Sequence, residues 1–443
     1  MAIYAKTPAV IRIQRVALLF LTAAGIVNYI DRSALSIANT VIREELHITP
    51  TEMGWLLSAF SFSYAFAQLP VGALLDRFGS RIMLGLGMFF WSLAQAACGL
   101  VNNLTVFLLS RAVLGACEAP LFPAGAKVIS EWYNQRERGT PTGIFIASSC
   151  IGPCIAPPLL TVIMLTIGWR WMFILTGALG MMMAIGWYLI YRNRNQVQLS
   201  AADEAYLQEG EPFQSGEKNI SGKEWRRLFC HATTWGMLVG FMGVIYMVWL
   251  YLTWLPGYLE HQRGLSVAHT GWLVAVPYLF GMVGMIGAGR IVDFLAARGV
   301  PLIASRKWPV CGGLLGGAAF TIPAIFASSN GVAIACICMA MFFINMSSAA
   351  CWTMVSVIVP KRQVASLGSI QNFGGYFGGS FAPVITGWVV EHTGRYDNAL
   401  MASAVIAVIA AAVYYLLVKK PLPEETASFP DTDKASKHYD VSH

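Results

Sequence analysis

The sequence predicts an all-α membrane protein with about twelve transmembrane helices in two groups of six. Three observations carry this. Of 443 residues, 56% are hydrophobic and only 12% charged, where a soluble chain carries about 25% charged residues. Mean hydropathy is +0.58. Apolar stretches recur near 16–40, 53–75, 82–101, 104–130, 140–166 and 169–191, and again near 233–259, 270–296, 308–328, 331–358, 364–390 and 396–418. Each is long enough to cross a hydrocarbon core of ~30 Å. Finally, Lys and Arg gather in alternate loops, as the positive-inside rule requires of a multi-pass protein.

The elements follow in order. Lys6, Arg12 and Arg15 precede the first apolar run, which is too long for a signal peptide and lacks a small-residue cleavage site. It reads as a retained first helix. That helix ends in Asn28-Tyr29-Ile30-Asp31-Arg32. A charge near the bilayer centre costs ~2.5–3.5 kcal/mol on insertion scales, so charges kept there face a cavity and have partners. Helix two closes on Gly72-Ala73-Leu74-Leu75-Asp76-Arg77-Phe78-Gly79-Ser80-Arg81, and helix eight closes on a partial copy, Gly289-Arg290-Ile291-Val292-Asp293. Two copies at equivalent places point to an internal repeat. Gly72 and Gly79 would let helices approach closely. Asp76 and Asp293, with Arg77 and Arg81, could pair or meet a helix N-terminus, forming a latch that opens as the halves rock.

Basic residues lie at Arg77 and Arg81, Arg136 and Arg138, Arg192 to Arg227, Arg298 to Lys307, Lys361 and Arg362, and Lys419 and Lys420. Both termini and the central loop are therefore expected in the cytoplasm. The net charge of +7 follows from these loops and calls for no nucleic-acid partner. The domain reading is an N-terminal six-helix unit (1–191), a cytoplasmic linker (192–232), a C-terminal six-helix unit (233–418) and a tail (419–443) expected to be disordered. The nine cysteines stand singly, with no CxxC pair and no Cys/His metal spacing; they read as packing residues. No GxxxxGK[ST] is present, which argues against ATP-driven chemistry.

The Gly72–Arg81 loop and its degenerate copy resemble the signature of the major facilitator superfamily. That resemblance implies two pseudo-symmetric six-helix bundles with a central site and alternating access. Within the superfamily the chain resembles the anion:cation symporter group. The residues that carry this are Asn28–Ser33, Arg111-x-x-x-Gly115-x-x-Glu118-Ala119-Pro120-x-x-Pro123, and Gln371-Asn372-Phe373. The bacterial sugar-acid carriers, for L-galactonate, D-galactonate and glucarate, are the most similar branch. Leu84–Ser92 and Gly368–Phe373 look most like the L-galactonate type. Helix five holds Gly152-Pro153 and Pro157-Pro158, short of the longer glycine-rich motif of exporters, which favours uptake.

The buried charges support a mechanism on their own terms. Asp31, Arg32, Arg111 and Glu118 are the four ionisable residues at membrane depth in the first half, and they sum to zero. An entering anion adds one negative charge and one proton restores neutrality, which avoids a costly unpaired charge. Arg111 and Glu118 are two turns apart on one face, ~10 Å. Arg32 is expected to reach Glu118, and Arg111 to reach Asp31. Arg32 is the candidate for the substrate carboxylate, since guanidinium grips it bidentately; Asp31 and Glu118 are the candidate proton carriers, roles the resemblance also implies. Tyr29, Tyr64, Gln371, Asn372 and Tyr376 are candidates for sugar hydroxyls, with Trp249 for stacking. Ser149 stands where the D-galactonate type carries glutamine.

The expected function is proton-coupled import of a sugar acid, a hexonate and most specifically L-galactonate, across a bacterial inner membrane. The chain is expected to be a monomer, not an enzyme, with no cofactor or metal beyond the proton gradient. The alternative is an organic-anion exchanger, or an importer of another carboxylate such as a hexuronate, tartrate or glucarate.

Overall fold

The computed structural model describes residues 7–134, 137–208, 222–359 and 363–422. Helix one, Pro8–Ile37, begins where Thr7 accepts a hydrogen bond from the Val10 N–H and Pro8 fills the first turn, a position where the missing proline N–H costs nothing. A capping box of Thr49 and Glu52 starts the next helical stretch, Pro50–Cys98. This stretch is broken at Gly79 (φ 75°, ψ 162°). The break makes two crossings, helix two (50–78) and helix three (80–98). Helix four is Leu104–Glu118 continued by Leu121–Trp132, with Ala119 and Pro120 still in helical conformation. Helix five is Gly139–Ile167 and helix six Trp169–Ile190.

In the second half, helix seven is Ala232–Gly257 ending in a π-helical turn, Tyr258–Gln262. Helix eight is Val267–Leu273 with Ala275–Ala297, helix nine Leu302–Phe326 and helix ten Asn330–Ile358. Helix eleven is Val364–Gly379 with Phe381–Thr393, and helix twelve Asp397–Leu417. Among the described residues, ten helices are long and apolar enough to cross a membrane. The remaining two crossings are 50–78 and 364–393, whose apolar runs are interrupted by Pro70 and by the Gly379–Ser380 step. The two groups of six are thus present.

Part of the central linker folds. Ala201–Gln208 packs Tyr206 and Leu207 on Val10 at the start of helix one. Asp203 accepts from the Thr7 N–H, and the Tyr206 hydroxyl donates to Glu137 (2.7 Å). A second short helix, Gly222–Arg227, precedes helix seven. Arg136, Lys361 and Arg362, the acidic stretch from Glu209 to Glu217 with Lys218, and the expected disordered tail beyond Leu422 lie outside the described residues.

The halves meet tightly at one end. The Ser36 hydroxyl donates to the Thr253 carbonyl (2.8 Å), Thr40 to Glu260 (2.5 Å), and the Thr51 N–H to Glu391 (3.0 Å). Small residues set this closeness: a Cβ on Gly387 would lie 2.3 Å from the Pro50 carbonyl, and one on Gly54 2.7 Å from the Pro383 carbonyl. The opposite end differs. A Cβ on Gly72 or Gly289 would meet nothing within 4 Å, and Arg77 and Asp293 are exposed. Among the described residues, nothing packs against the Cβ position of Gly72. Gly79 is the crowded glycine of that loop: its Cβ would lie 2.4 Å from the Asn193 amide, whose oxygen accepts the Arg81 N–H (3.0 Å). The Arg81 guanidinium donates to the Tyr188 carbonyl and stacks on its ring. The Asp76 side chain lies outside the described residues.

This contrast makes a prediction. Backbone at the Gly79 angles is essentially glycine-only and costs ~1–3 kcal/mol for another residue. Gly79→Ala should lower the thermal unfolding midpoint of the purified protein, and Gly72→Ala should not. The reverse ranking in a thermal-shift assay would contradict the described loop.

Candidate functional site

Helix one carries the centre of the site. Successive side chains on a helix diverge by about 100°, so Asp31 and Arg32 enter different surroundings. Both are buried, as are Arg111 and Glu118. Arg32 points toward the junction of the halves. Its Nε donates to Glu118 Oε2 at 2.8 Å. Its guanidinium carbon lies 4.9 Å from the Tyr29 ring, 5.0 Å from Phe60 and 4.7 Å from Tyr64. Such cation–π contacts contribute ~0.5–2 kcal/mol each, more when desolvated. The rings flank the planar fork, and the Tyr64 hydroxyl also interacts with the guanidinium. Arg32 Nη2 and Glu118 Oε1 make no hydrogen bond.

Asp31 instead faces into the first bundle. The charged groups about it are Glu118 and Arg111, with Thr176 and Trp91 presenting polar groups. Among the described residues, neither carboxylate oxygen has a partner at full hydrogen-bond geometry, nor do Arg111 Nε and Nη1, although Thr176 and Trp91 interact with Asp31 more loosely. The expected Arg32–Glu118 pair is therefore formed. Arg111 comes near Asp31, but no ion pair between them is among the described contacts; its guanidinium lies 5.2 Å from the Phe60 ring.

The second half adds rings and amides. Tyr376 lies 5.1 Å from Tyr64, and Trp249 lies 5.9 Å from Phe60 and 6.4 Å from Tyr376. Asn372 donates to Gln68 across the halves (2.8 Å). Gln371 is fully buried, and both its amide atoms lack partners. The structure thus gathers Tyr29, Arg32, Tyr64, Glu118, Trp249 and Tyr376, with Asp31 and Arg111 behind them.

Ser149 is not drawn into this group; its hydroxyl donates to the Ile146 carbonyl of its own helix (2.8 Å). It sits one turn before Gly152, where a Cβ would press on Tyr29 at 2.5 Å. The other aromatics of helix seven serve packing: the Trp254 indole donates to the Pro383 carbonyl, and Tyr251 bonds Thr321. Gly72, Arg77, Gly79, Arg81 and Asp293, expected to form a latch, lie at the far end described above. Sequence reasoning missed Phe60 and Gln68. They fall four residues either side of Tyr64 and so share its face, a spacing that could have revealed them. Trp91 and Thr176 carried no such signal, because only the packing of helices three and six on helix one brings them to Asp31. Among the described residues no His/Cys/Asp/Glu group is arranged to hold a metal.

Buried charge within a chain of many long apolar helices marks a polytopic membrane protein. The chain belongs to the Major Facilitator Superfamily, whose family model matches residues 21–305 and 302–439. Three relatives place it further. It is 47% identical to the probable L-galactonate transporter of Escherichia coli K12, over 93% of this chain and 90% of the relative. It is 30% identical to the D-galactonate transporter of E. coli O6:H1, over 94% and 97%. It is also 30% identical to a probable galactarate/D-glucarate transporter of Bacillus subtilis, over 91% of each. Among solved structures, a bacterial homologue of the human lysosomal transporter Spinster, in an inward-facing and unoccupied conformation, superposes with a TM-score of 0.78 at 19% identity. That match covers 94% of this chain and 98% of the other. The inward-open xylose transporter XylE of E. coli gives 0.70 at 14%, over 92% and 96%. Both structural likenesses show the fold.

The cross-half amide pair makes a prediction. A neutral hydrogen bond contributes ~1 kcal/mol, and contacting residues couple. Gln68→Ala and Asn372→Ala should therefore be non-additive in a double-mutant cycle of thermal stability. Additivity within ~0.3 kcal/mol would show that the pair does not join the halves.

Proposed function

We propose that the protein imports a sugar acid together with protons by alternating access, and that the cargo is a hexonate, most specifically L-galactonate. The observation that carries this reading is Arg32: a buried guanidinium at the junction of the halves, oriented by three rings, with Nη2 unspent. A carboxylate is the planar acceptor that such a fork fits. Sugar hydroxyls would meet Tyr29, Tyr64, Asn372 and Gln371, which supply phenols and amides, and Trp249 and Tyr376 would cover an apolar ring or chain face. Ser149 and Arg111 are more distant members of the proposed site. The relatives named for L-galactonate, D-galactonate and glucarate carriage support the cargo class.

Protons are assigned to Glu118 and Asp31. An anion on Arg32 competes with Glu118 for the same guanidinium. Two carboxylates on one buried cation leave one charge unbalanced, and a proton on Glu118 removes it. Asp31, with no partner at full hydrogen-bond geometry among the described residues and beside Arg111, is the second place a proton can reside. No metal or organic cofactor enters this scheme; the proton gradient drives it. The alternation of basic loops supports an inner-membrane protein with both termini cytoplasmic. The chain then acts as a monomeric carrier rather than an enzyme, and the Gly72–Arg81 and Gly289–Asp293 loops serve as its conformational latch.

Proteoliposome uptake of labelled L-galactonate tests this. An inward proton gradient should drive accumulation, and unlabelled L-galactonate should compete better than D-galactonate or glucarate. Arg32→Ala should remove uptake. Uptake that ignores the gradient and requires internal anion would replace symport with exchange. A variant that accumulates as wild type does would remove Arg32 from the site.

A further inference from the structure

A second built recess lies on the outer wall of the C-terminal bundle, away from the central site. It occupies about 480 Å³ where the start of helix nine, the end of helix ten and the chain after helix twelve converge. Two lysines, Lys307 and Lys419, enter it, and among the described residues no acid lines it. Its floor is fixed by three bonds. Lys307 Nζ donates to the Val418 carbonyl (2.9 Å), the Thr233 hydroxyl to the Lys420 carbonyl (3.4 Å), and the Leu422 N–H to the Ile358 carbonyl (2.7 Å). Residues 418–422 are thereby tied across the end of helix ten, which holds Lys419 beside Lys307.

The rim is aromatic. Trp308 is 51% and Tyr415 56% exposed, and Lys307 Nζ lies 4.4 Å over the Tyr415 ring. Exposed Trp and Tyr beside Lys are the composition of a membrane–water boundary. The wall continues as apolar surface. Leu315 on helix nine lies seven residues from Trp308, and Val408 on helix twelve seven from Tyr415; all four side chains are exposed. Two turns of helix keep each pair on one face, and helices nine and twelve pack against each other.

A basic pocket opening onto an apolar groove of this kind fits a molecule with an anionic head and long hydrocarbon chains. We propose that this recess is a binding site for an anionic phospholipid. The phosphate sits between Lys307, which keeps two N–H donors free after its bond to Val418, and Lys419. The acyl chains run along the Trp308–Leu315 and Tyr415–Val408 faces. The groove is what distinguishes the lipid from a free phosphate ion. This site is independent of the cargo and of proton coupling.

Native mass spectrometry of the full chain in detergent tests it, with phosphatidylglycerol, phosphatidylcholine and inorganic phosphate as probes. The wild type should retain phosphatidylglycerol in preference to phosphatidylcholine. Lys419→Gln and Lys307→Gln should each reduce that preference about five-fold, the effect of one basic residue near an anionic surface. Inorganic phosphate should not displace the lipid. Lys419 is exposed and makes no hydrogen bond among the described contacts, so its variant carries the test if Lys307→Gln does not fold. Unchanged selectivity in Lys419→Gln, or displacement of the lipid by phosphate alone, would overturn the proposal.

Discussion

A guanidinium buried with one carboxylate bond and three aromatic faces is the constraint on which this molecule depends. Arg32 can remain charged at membrane depth only because Glu118 neutralises it at 2.8 Å and Tyr29, Phe60 and Tyr64 surround it with electron-rich rings. Breaking a buried pair by removing one partner costs ~3–5 kcal/mol. Any anion that takes the place of Glu118 must therefore be matched by another neutralising event. In the proposed scheme, binding and protonation are linked through this one contact.

The two halves contribute differently. The first carries Asp31, Arg32, Arg111 and Glu118, all buried on helices one and four, and the rings around them. The second supplies Trp249, Tyr376, Gln371 and Asn372, all of them neutral. Under the proposed scheme, such a carrier can change its cargo by altering neutral side chains while keeping the four charges intact. The close approach at Gly54 and Gly387 joins the halves at one end by backbone contact.

Much of this was legible in the sequence because membrane depth makes charge conspicuous. Asp31, Arg32, Arg111 and Glu118 stood out by cost alone, and the three-to-seven residue spacings gave their faces. The Arg32–Glu118 pair followed. The divergence of Asp31 from Arg32 followed from helix geometry, but the groups that surround Asp31 did not, since they depend on how helices three and six pack around helix one. Phe60 and Gln68 were hidden because an aromatic or amide in an apolar run has no penalty that marks it. The break at Gly79 was readable as a glycine, but the crowding there comes from Asn193, more than a hundred residues on. The recess at Lys307 depends on residues 418–422 folding back over helix ten, which no periodicity foretells.

The most direct measurement is proton uptake when purified protein binds L-galactonate in weakly buffered solution, followed with a pH indicator at neutral pH. The linkage through Arg32 predicts about one proton taken up per anion bound in the wild type and none in Glu118→Gln, which still binds. Binding without proton uptake in the wild type, or equal uptake in the variant, would contradict it.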